Sequence, residues 1–151
     1  MTSPHSFNIR IYGLLINQLK QILVTDEYRL DMYMTKFPGG GLKFGEGTID
    51  CLKREFLEEL GITIEVEQHF YTTDYFQKAF SFKNMQLISI YYLISSNELD
   101  KIKTTNIVNE ISASEGNQSF RWVNLDQLNT KDFTFPIDKR VVSLLKEGIT
   151  L

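Results

Sequence analysis

Three glutamates, Glu55, Glu58 and Glu59, fall close together in the stretch TIDCLKREFLEELGI, Thr48 to Ile62. On a helix turning about 100° per residue, they lie at about 240°, 180° and 280° from Ile49, so all three share one face. Each like-charge pair costs about 0.2–0.5 kcal/mol on an isolated helix. Arg54, four residues before Glu58, neutralises part of this charge, but one guanidinium cannot satisfy three carboxylates. A hard divalent cation can: Mg²⁺ prefers oxygen ligands and commonly joins carboxylates to substrate phosphates. The turn FPGGG, Phe37 to Gly41, precedes the helix and can expose backbone carbonyl and N–H groups in the same place. Residue types and spacing thus outline a metal–phosphate site. The plain alternative is a solvated helix face.

Such a face needs a helix anchored on its other side. Thr48 is the expected N-cap, Asp50 suits the positive end of the helix dipole, and Gly61 is the expected left-handed stop. Ile49, Leu52, Phe56 and Leu60 fall within about 80° of one another and form the expected buried stripe. Lys53 lies inside that arc and must turn its charged end outward.

Around the helix, FNIRIYGLLI (Phe7 to Ile16) reads as a strand, NQLK as a turn and QILVTDEY (Gln21 to Tyr28) as the returning strand. RLDMYMTK is either loop or short strand. ITIEVEQHFYTTDYFQ (Ile62 to Gln77) reads as one long or bent strand, and MQLISIYYLISS (Met85 to Ser96) as another, with SFKN (Ser81 to Asn84) in or near the loop between them. Residues 97–118 are polar and read as a long loop or broken helix. SFRWV (Ser119 to Val123) is a short strand, NLDQL a helical turn capped near Asn124 or Asp126, and PIDKRVVSLLKEG a last helix with Pro136 in its first turn. Strands and helices mix without regular alternation, which predicts an α/β fold with a mixed sheet covered by helices.

The 151 residues suit one domain, 1–151, with one core. A net charge of −3 does not ask for nucleic acid as a partner. The single cysteine, Cys51, rules out a disulfide within the chain and suits a reducing compartment. The first residues, MTSPHSFNIRIYG, lack the pattern of a secretory signal, and the longest apolar run, IYYLI, is too short to cross a bilayer. A cytoplasmic protein without a membrane partner is expected, either a monomer or a homodimer.

The stretch resembles the Nudix box of the MutT-like Nudix hydrolases, G-x5-E-x7-R-E-U-x-E-E-x-G-U, where U is bulky and aliphatic. The matching residues are Gly40, Glu46, Arg54, Glu55, Phe56, Glu58, Glu59, Gly61 and Ile62. Phe56 is the one departure, aromatic where the family has an aliphatic residue, and it keeps the packing role. The resemblance implies an α/β/α sandwich round a mixed sheet. It also implies hydrolysis of a nucleoside diphosphate linked to another moiety (an NTP, a nucleotide sugar, ADP-ribose or similar), with Mg²⁺ or Mn²⁺ as cofactor. By position it implies Glu58 and Glu59 as metal ligands, Glu55 as a ligand or the group that orients water, and the Gly40 carbonyl as a backbone ligand. Gly39 and Gly41 join Gly40 in the cofactor-binding turn. Glu46 and Arg54 are implied to pair across the loop–helix junction.

The expected chemistry is attack of water at a phosphorus of the diphosphate bridge, with no covalent protein nucleophile. The candidate catalytic set is Glu55, Glu58, Arg54, Glu115 and Glu110. Glu55 or Glu58 comes first as general base, and the loop acids Glu115 and Glu110 come next. A solvated role is the other reading of the two loop acids. Phe37, Tyr71, Tyr75, Phe76, Phe80 and Phe82 are candidate stacking surfaces, at least half of them core, while Trp122 is read as core. Lys36, Lys43, Arg29 and Lys78 are candidate phosphate contacts. His5 and His69 have no ligand spacing, and Cys51 is read as a packing residue. The competing reading is a Nudix-like module that senses a nucleotide metabolite without turnover; retention of every box acid favours the enzyme.

Overall fold

The computed structural model describes residues 4–80 and 84–148. Seven strands, β1 (Ser6–Leu15), β2 (Gln21–Arg29), β3 (Met32–Lys36), β4 (Gly39–Gly41), β5 (Glu65–Thr72), β6 (Met85–Ser95) and β7 (Gln118–Asn124), accompany two α-helices, α1 (Thr48–Leu60) and α2 (Pro136–Lys146). They form a four-stranded sheet ordered β4-β1-β6-β5 and a three-stranded sheet ordered β3-β2-β7. β1 and β6 run parallel in continuous register from Ser6–Met85 to Leu15–Ile94, while the other pairs are antiparallel, so the sheet structure is mixed.

Strand alternation divides the apolar residues between two cores. Ile11 and Leu15 of β1, Leu23 of β2 and Ile94 of β6 pack with Cys51, Leu52 and Phe56 of α1. Their neighbours Tyr12, Leu14, Ile22, Val24, Tyr91 and Leu93 pack with Ile137, Val141 and Val142 of α2. One helix therefore covers each face, giving the α/β/α sandwich expected above. Burying an aliphatic side chain this way is worth about 1.5–3 kcal/mol. Phe56 approaches β1 so closely that a Cβ on Gly13 would stand 2.8 Å from its ring. This contact fixes α1 against the sheet.

Several local expectations shift. The α1 N-cap is Gly47, not Thr48, whose hydroxyl instead lies 2.7 Å from that of Tyr92. Ile49 is exposed and Cys51 is buried in its place, so the anchored stripe is rotated; Lys53 is simply exposed. Contact with β1 and β4, which wheel geometry does not contain, sets that rotation. The glycine turn is a short strand, β4, paired with β1. The long strand expected over 62–77 is shorter, with two register shifts within β5. Residues 97–118 hold one 3-10 turn, Leu99–Lys101. Most of SFKN, and Phe82, lie outside the described residues. Among the described residues, no helix is long and apolar enough to cross a membrane.

Candidate functional site

α1 delivers its acids to the end where they are least welcome. Glu58 and Glu59 lie in its last turn, beside the negative end of the helix dipole, and no basic residue shares that turn. Among the described residues, Arg54 is the cation that forms ion pairs with acids of α1. Its Nη1 donates to Glu55 at 2.9 Å and Glu58 at 3.2 Å, and its Nη2 donates to the Gly41 carbonyl at 3.2 Å. The pair with Glu46 spans the loop–helix junction, Nε at 2.9 Å and Nη2 at 2.7 Å. Hydrogen bonding from Arg54, then from the Lys43 N–H, lowers the Glu46 pKa to about 2. The same Glu46 bond, working against desolvation, raises that of Arg54.

Among the described residues Glu59 makes no ion pair, although the Lys36 charge acts on it. It is exposed overall, yet desolvation of its carboxyl, followed by the charges of Glu55 and Glu27, raises its pKa to about 7. Among the described residues, no three acidic or imidazole groups converge closely enough to hold a cation as they stand. Arg54 occupies Glu55 and Glu58 instead.

The glycine strand explains how carboxylate and backbone meet. A Cβ on Gly40 would stand 2.3–2.5 Å from the carboxyl atoms of Glu55, so that carboxyl fills the space a side chain would take. An all-oxygen group of Glu55, Glu58, Glu59 and the Gly40 backbone matches the donors a hard dication prefers. Gly39 faces Tyr12 across the β4–β1 ladder, and Gly41 faces Arg10. The Gly41 carbonyl also receives the Cys51 thiol at 3.5 Å. Burial, reinforced by Glu46, pushes that thiol up to about 12, so Cys51 is a packing residue.

Beside this cluster lies a cavity of about 270 Å³ that the sequence did not announce. Arg10 and Tyr12 of β1, Lys36 of β3, Tyr91 of β6 and Asp138 of α2 line it, and Leu30, Phe80 and Phe135 stand at its wall. Tyr12 and Tyr91 stack with centroids 5.1 Å apart, and Tyr91 donates its hydroxyl to Asp138 at 2.6 Å. Burial raises the Asp138 pKa to about 6, against the Tyr91 bond and the charges of Lys36 and Arg10. Lys36 is buried in an ion pair with Glu27 at 3.3 Å. Glu27 also accepts from Gln118 at 3.2 Å. Glu27, Arg10, Tyr91 and Asp138 were not singled out from sequence. An arginine midway along the apolar strand FNIRIYGLLI was the one local signal available.

The loop acids sit elsewhere. Glu115 accepts the Leu30 N–H at 2.9 Å and lies 4.0 Å from Arg29. It thus ties down the β2–β3 turn, where Leu30 and Asp31 both have positive φ, and lines the cavity. Glu110 bonds the Thr105 hydroxyl. Neither contacts an acid of α1. Of the stacking candidates, Phe37 and Tyr71 are buried in the core, Tyr75 and Phe76 are exposed, and Phe80 lines the cavity. Trp122 packs partly buried on the α1 side. Of the cation candidates, Lys36 and Arg29 line the cavity; Lys43 and Lys78 do not.

Solved structures share this fold. A NUDIX hydrolase from Nitrosomonas europaea superposes with a TM-score of 0.68 at 16% identity, covering 95% of this chain and 90% of its own. A MutT protein from Methanosarcina mazei Go1 gives 0.68 at 17%, covering 100% and 99%. An ADP-ribose pyrophosphatase from Streptococcus suis 89-1591 gives 0.59 at 17%, covering 93% and 90%. No curated protein matches the chain in sequence. The NUDIX domain model matches residues 7–145, and the chain therefore belongs to the Nudix family of hydrolases.

Proposed function

We propose that this protein is a metal-dependent pyrophosphohydrolase that cleaves the diphosphate linkage of a nucleoside diphosphate derivative, with residues 1–151 working as one domain in the cytoplasm. The observation that carries the reading is the packing of the Glu55 carboxyl on Gly40, beside a cavity lined by cations, stacked tyrosines and a buried acid. Family membership supports the reaction class.

Glu58, Glu59, Glu55 and the Gly40 carbonyl would hold Mg²⁺ or Mn²⁺. Bound there, the cation would neutralise phosphate oxygens and lower the pKa of water. Glu55 or Glu58 takes the proton from the attacking water. Arg54 keeps both carboxylates in place and, through Glu46, fixes the glycine strand against α1. The cavity receives the nucleoside. Asp138 accepts there from the edge of the base: one of its oxygens is bonded to Tyr91, and the other accepts no hydrogen bond among the described residues. Glu115 and Glu110 act through the hairpin and loop they hold.

The test is a panel of NTPs, nucleotide sugars, ADP-ribose and dinucleoside polyphosphates, each with Mg²⁺ and with Mn²⁺. ADP-ribose belongs in it because one structural neighbour carries the name ADP-ribose pyrophosphatase. The expected result is release of a nucleoside monophosphate or phosphate. Glu58→Gln and Glu59→Gln should each lower the rate at least about 10²-fold, the scale of losing a placed charge at a metal–phosphate centre. Binding across the panel without turnover would overturn the reading in favour of a sensor.

A further inference from the structure

Arg10 lines the cavity and forms no ion pair among the described residues. It stands on β1 opposite Gly41, half-buried, between the cavity and the glycine strand on which Glu55 rests. Its Nη1 comes within 3.7 Å of the point where a Gly41 Cβ would stand. Its Nε donates to the Tyr12 hydroxyl at 2.7 Å, and its carbon lies 5.7 Å from the centre of that ring. Neither Nη group donates to any protein atom among the described residues. A half-buried guanidinium that lines a cavity, with no protein acceptor for its fork, is free to take an anion there. Its planar pair of donors matches two oxygens of a phosphate.

Nearby carboxylates do not take that place. Burial works against the Arg10 charge, but the Tyr12 hydroxyl and the fields of Glu27 and Glu55 raise its pKa, so it remains a cation. Those carboxylates hold other partners: Glu27 has Lys36, Glu55 has Arg54, and Asp138 has Tyr91. Lys36 is spent on Glu27, which leaves Arg10 as the open donor on this side of the cavity. Tyr12 is a positioning residue, since its hydroxyl fixes Nε and thereby aims the fork.

We propose that Arg10 grips the phosphate nearest the nucleoside and does so without metal. The inference rests on the cavity receiving a nucleoside, as in the proposed function. A phosphate held there joins a nucleoside in the cavity to the diphosphate bridge beside Glu55. Arg10 therefore also holds the nucleoside monophosphate left after cleavage.

Calorimetric titration with AMP, GMP, CMP and UMP and the matching nucleosides, in EDTA, tests this. At least one monophosphate should bind about 10- to 100-fold more tightly than its nucleoside, the scale of a hydrogen-bonded ion pair. Arg10→Gln should remove that advantage, the monophosphate then binding no more tightly than its nucleoside. Arg10→Lys keeps the charge and loses the fork; it should retain only part of the advantage, and it decides the matter if the Gln variant does not fold. Tyr12→Phe should weaken monophosphate binding less than Arg10→Gln. A wild-type protein with no preference for the monophosphate, or a preference unchanged in Arg10→Gln or in Arg10→Lys, overturns the inference. Turnover separates it from the reaction itself. Hydrolysis with unaltered monophosphate binding in Arg10→Gln defeats this inference alone. Arg10-dependent binding with no hydrolysis defeats the hydrolase reading alone.

Discussion

Arg121 pairs with one acid and Arg54 with three, and the two arrangements end in opposite states. The Asp26 carboxylate is fully matched. It accepts from Arg121 Nε at 2.7 Å and Nη2 at 3.3 Å, from the Thr35 hydroxyl at 2.6 Å and from the Asn109 N–H at 3.1 Å. The pair joins β2, β3, β7 and the 102–117 loop, and Asp26 has no exposure at all. Around Arg54 one cation serves Glu46, Glu55 and Glu58, with Glu59 left over at a helix end that repels it. A satisfied buried pair holds strands together. An unsatisfied, partly open one keeps capacity for another cation. The same residue types thus do structural work in one place and leave room for chemistry in the other.

Breaking the matched pair should have the largest effect on stability. Arg121→Met leaves the Asp26 carboxylate buried without its counter-charge and should cost about 3–5 kcal/mol. Arg54→Gln should cost less stability, because Glu58 is more than half exposed and reaches water. It should instead lower turnover, by releasing Glu55 and Glu58 from their positions. Urea denaturation and a rate assay on both variants read the contrast. Equal stability losses would erase the distinction between the two clusters.

Sequence reading located the second cluster and missed the first, for a physical reason. Gly40, Glu46, Arg54, Glu55, Glu58 and Glu59 lie close along the chain on β4, the connection after it and α1, so short-range spacing contains much of their geometry. Asp26 meets Arg121 across the β2–β7 register, and that pairing exists only once the sheet has formed. The cavity is non-local in the same way: Arg10, Lys36, Tyr91 and Asp138 come from β1, β3, β6 and α2. Asp138 in particular reads in sequence as an ordinary acid in the first turn of a helix that follows Pro136. The places of both helices and of most strands along the chain are legible in periodicity, Gly61 and Pro136, whereas the order of the strands in the sheets is not. The exact rotation of α1, which buries Cys51 in place of Ile49, depends on the sheet beneath it.

Asp138 offers a further contrast with the balanced Asp26, because its single bond to Tyr91 does not offset its burial. Its pKa is raised from the usual 3.8 to about 6. As pH rises through that window, the unfolded chain gives up the proton first, whereas the folded chain must hold it or bury a charge. The stabilising contribution is complete below about pH 4 and is lost as pH passes 6, amounting to up to roughly 3 kcal/mol. Asp138→Asn keeps an acceptor for Tyr91 and has no proton to lose. Subtracting its unfolding free energy from that of the wild type at pH 4 and pH 7, in EDTA, isolates the slope. A difference that does not change with pH would mean Asp138 is as well compensated as Asp26.

Gly40 probes the open cluster more gently. The three atoms its added Cβ would meet first all belong to the end of the Glu55 side chain, which can rotate away, so Gly40→Ala should leave stability within about 1 kcal/mol of wild type. The displaced Glu55 carboxyl should nonetheless lower the rate by about tenfold, in the range expected when a reacting group is misplaced. Loss of folding would show that the glycine serves the β4–β1 ladder rather than the carboxylate.

The smallest effect is expected at Cys51, which sits against the Arg54 cluster yet belongs to the core. Its thiol has no exposure, donates to the Gly41 carbonyl and is pushed up to about 12, chiefly by burial. At pH 8 almost none of it is thiolate, and thiolate is the form that alkylating agents attack. Iodoacetamide should leave the native protein unlabelled and fully active, while the urea-unfolded chain takes up one label. Rapid labelling of the native protein would place Cys51 on an opening segment of α1, and the acids that flank it would then share that mobility rather than the fixed geometry that Arg54 gives them.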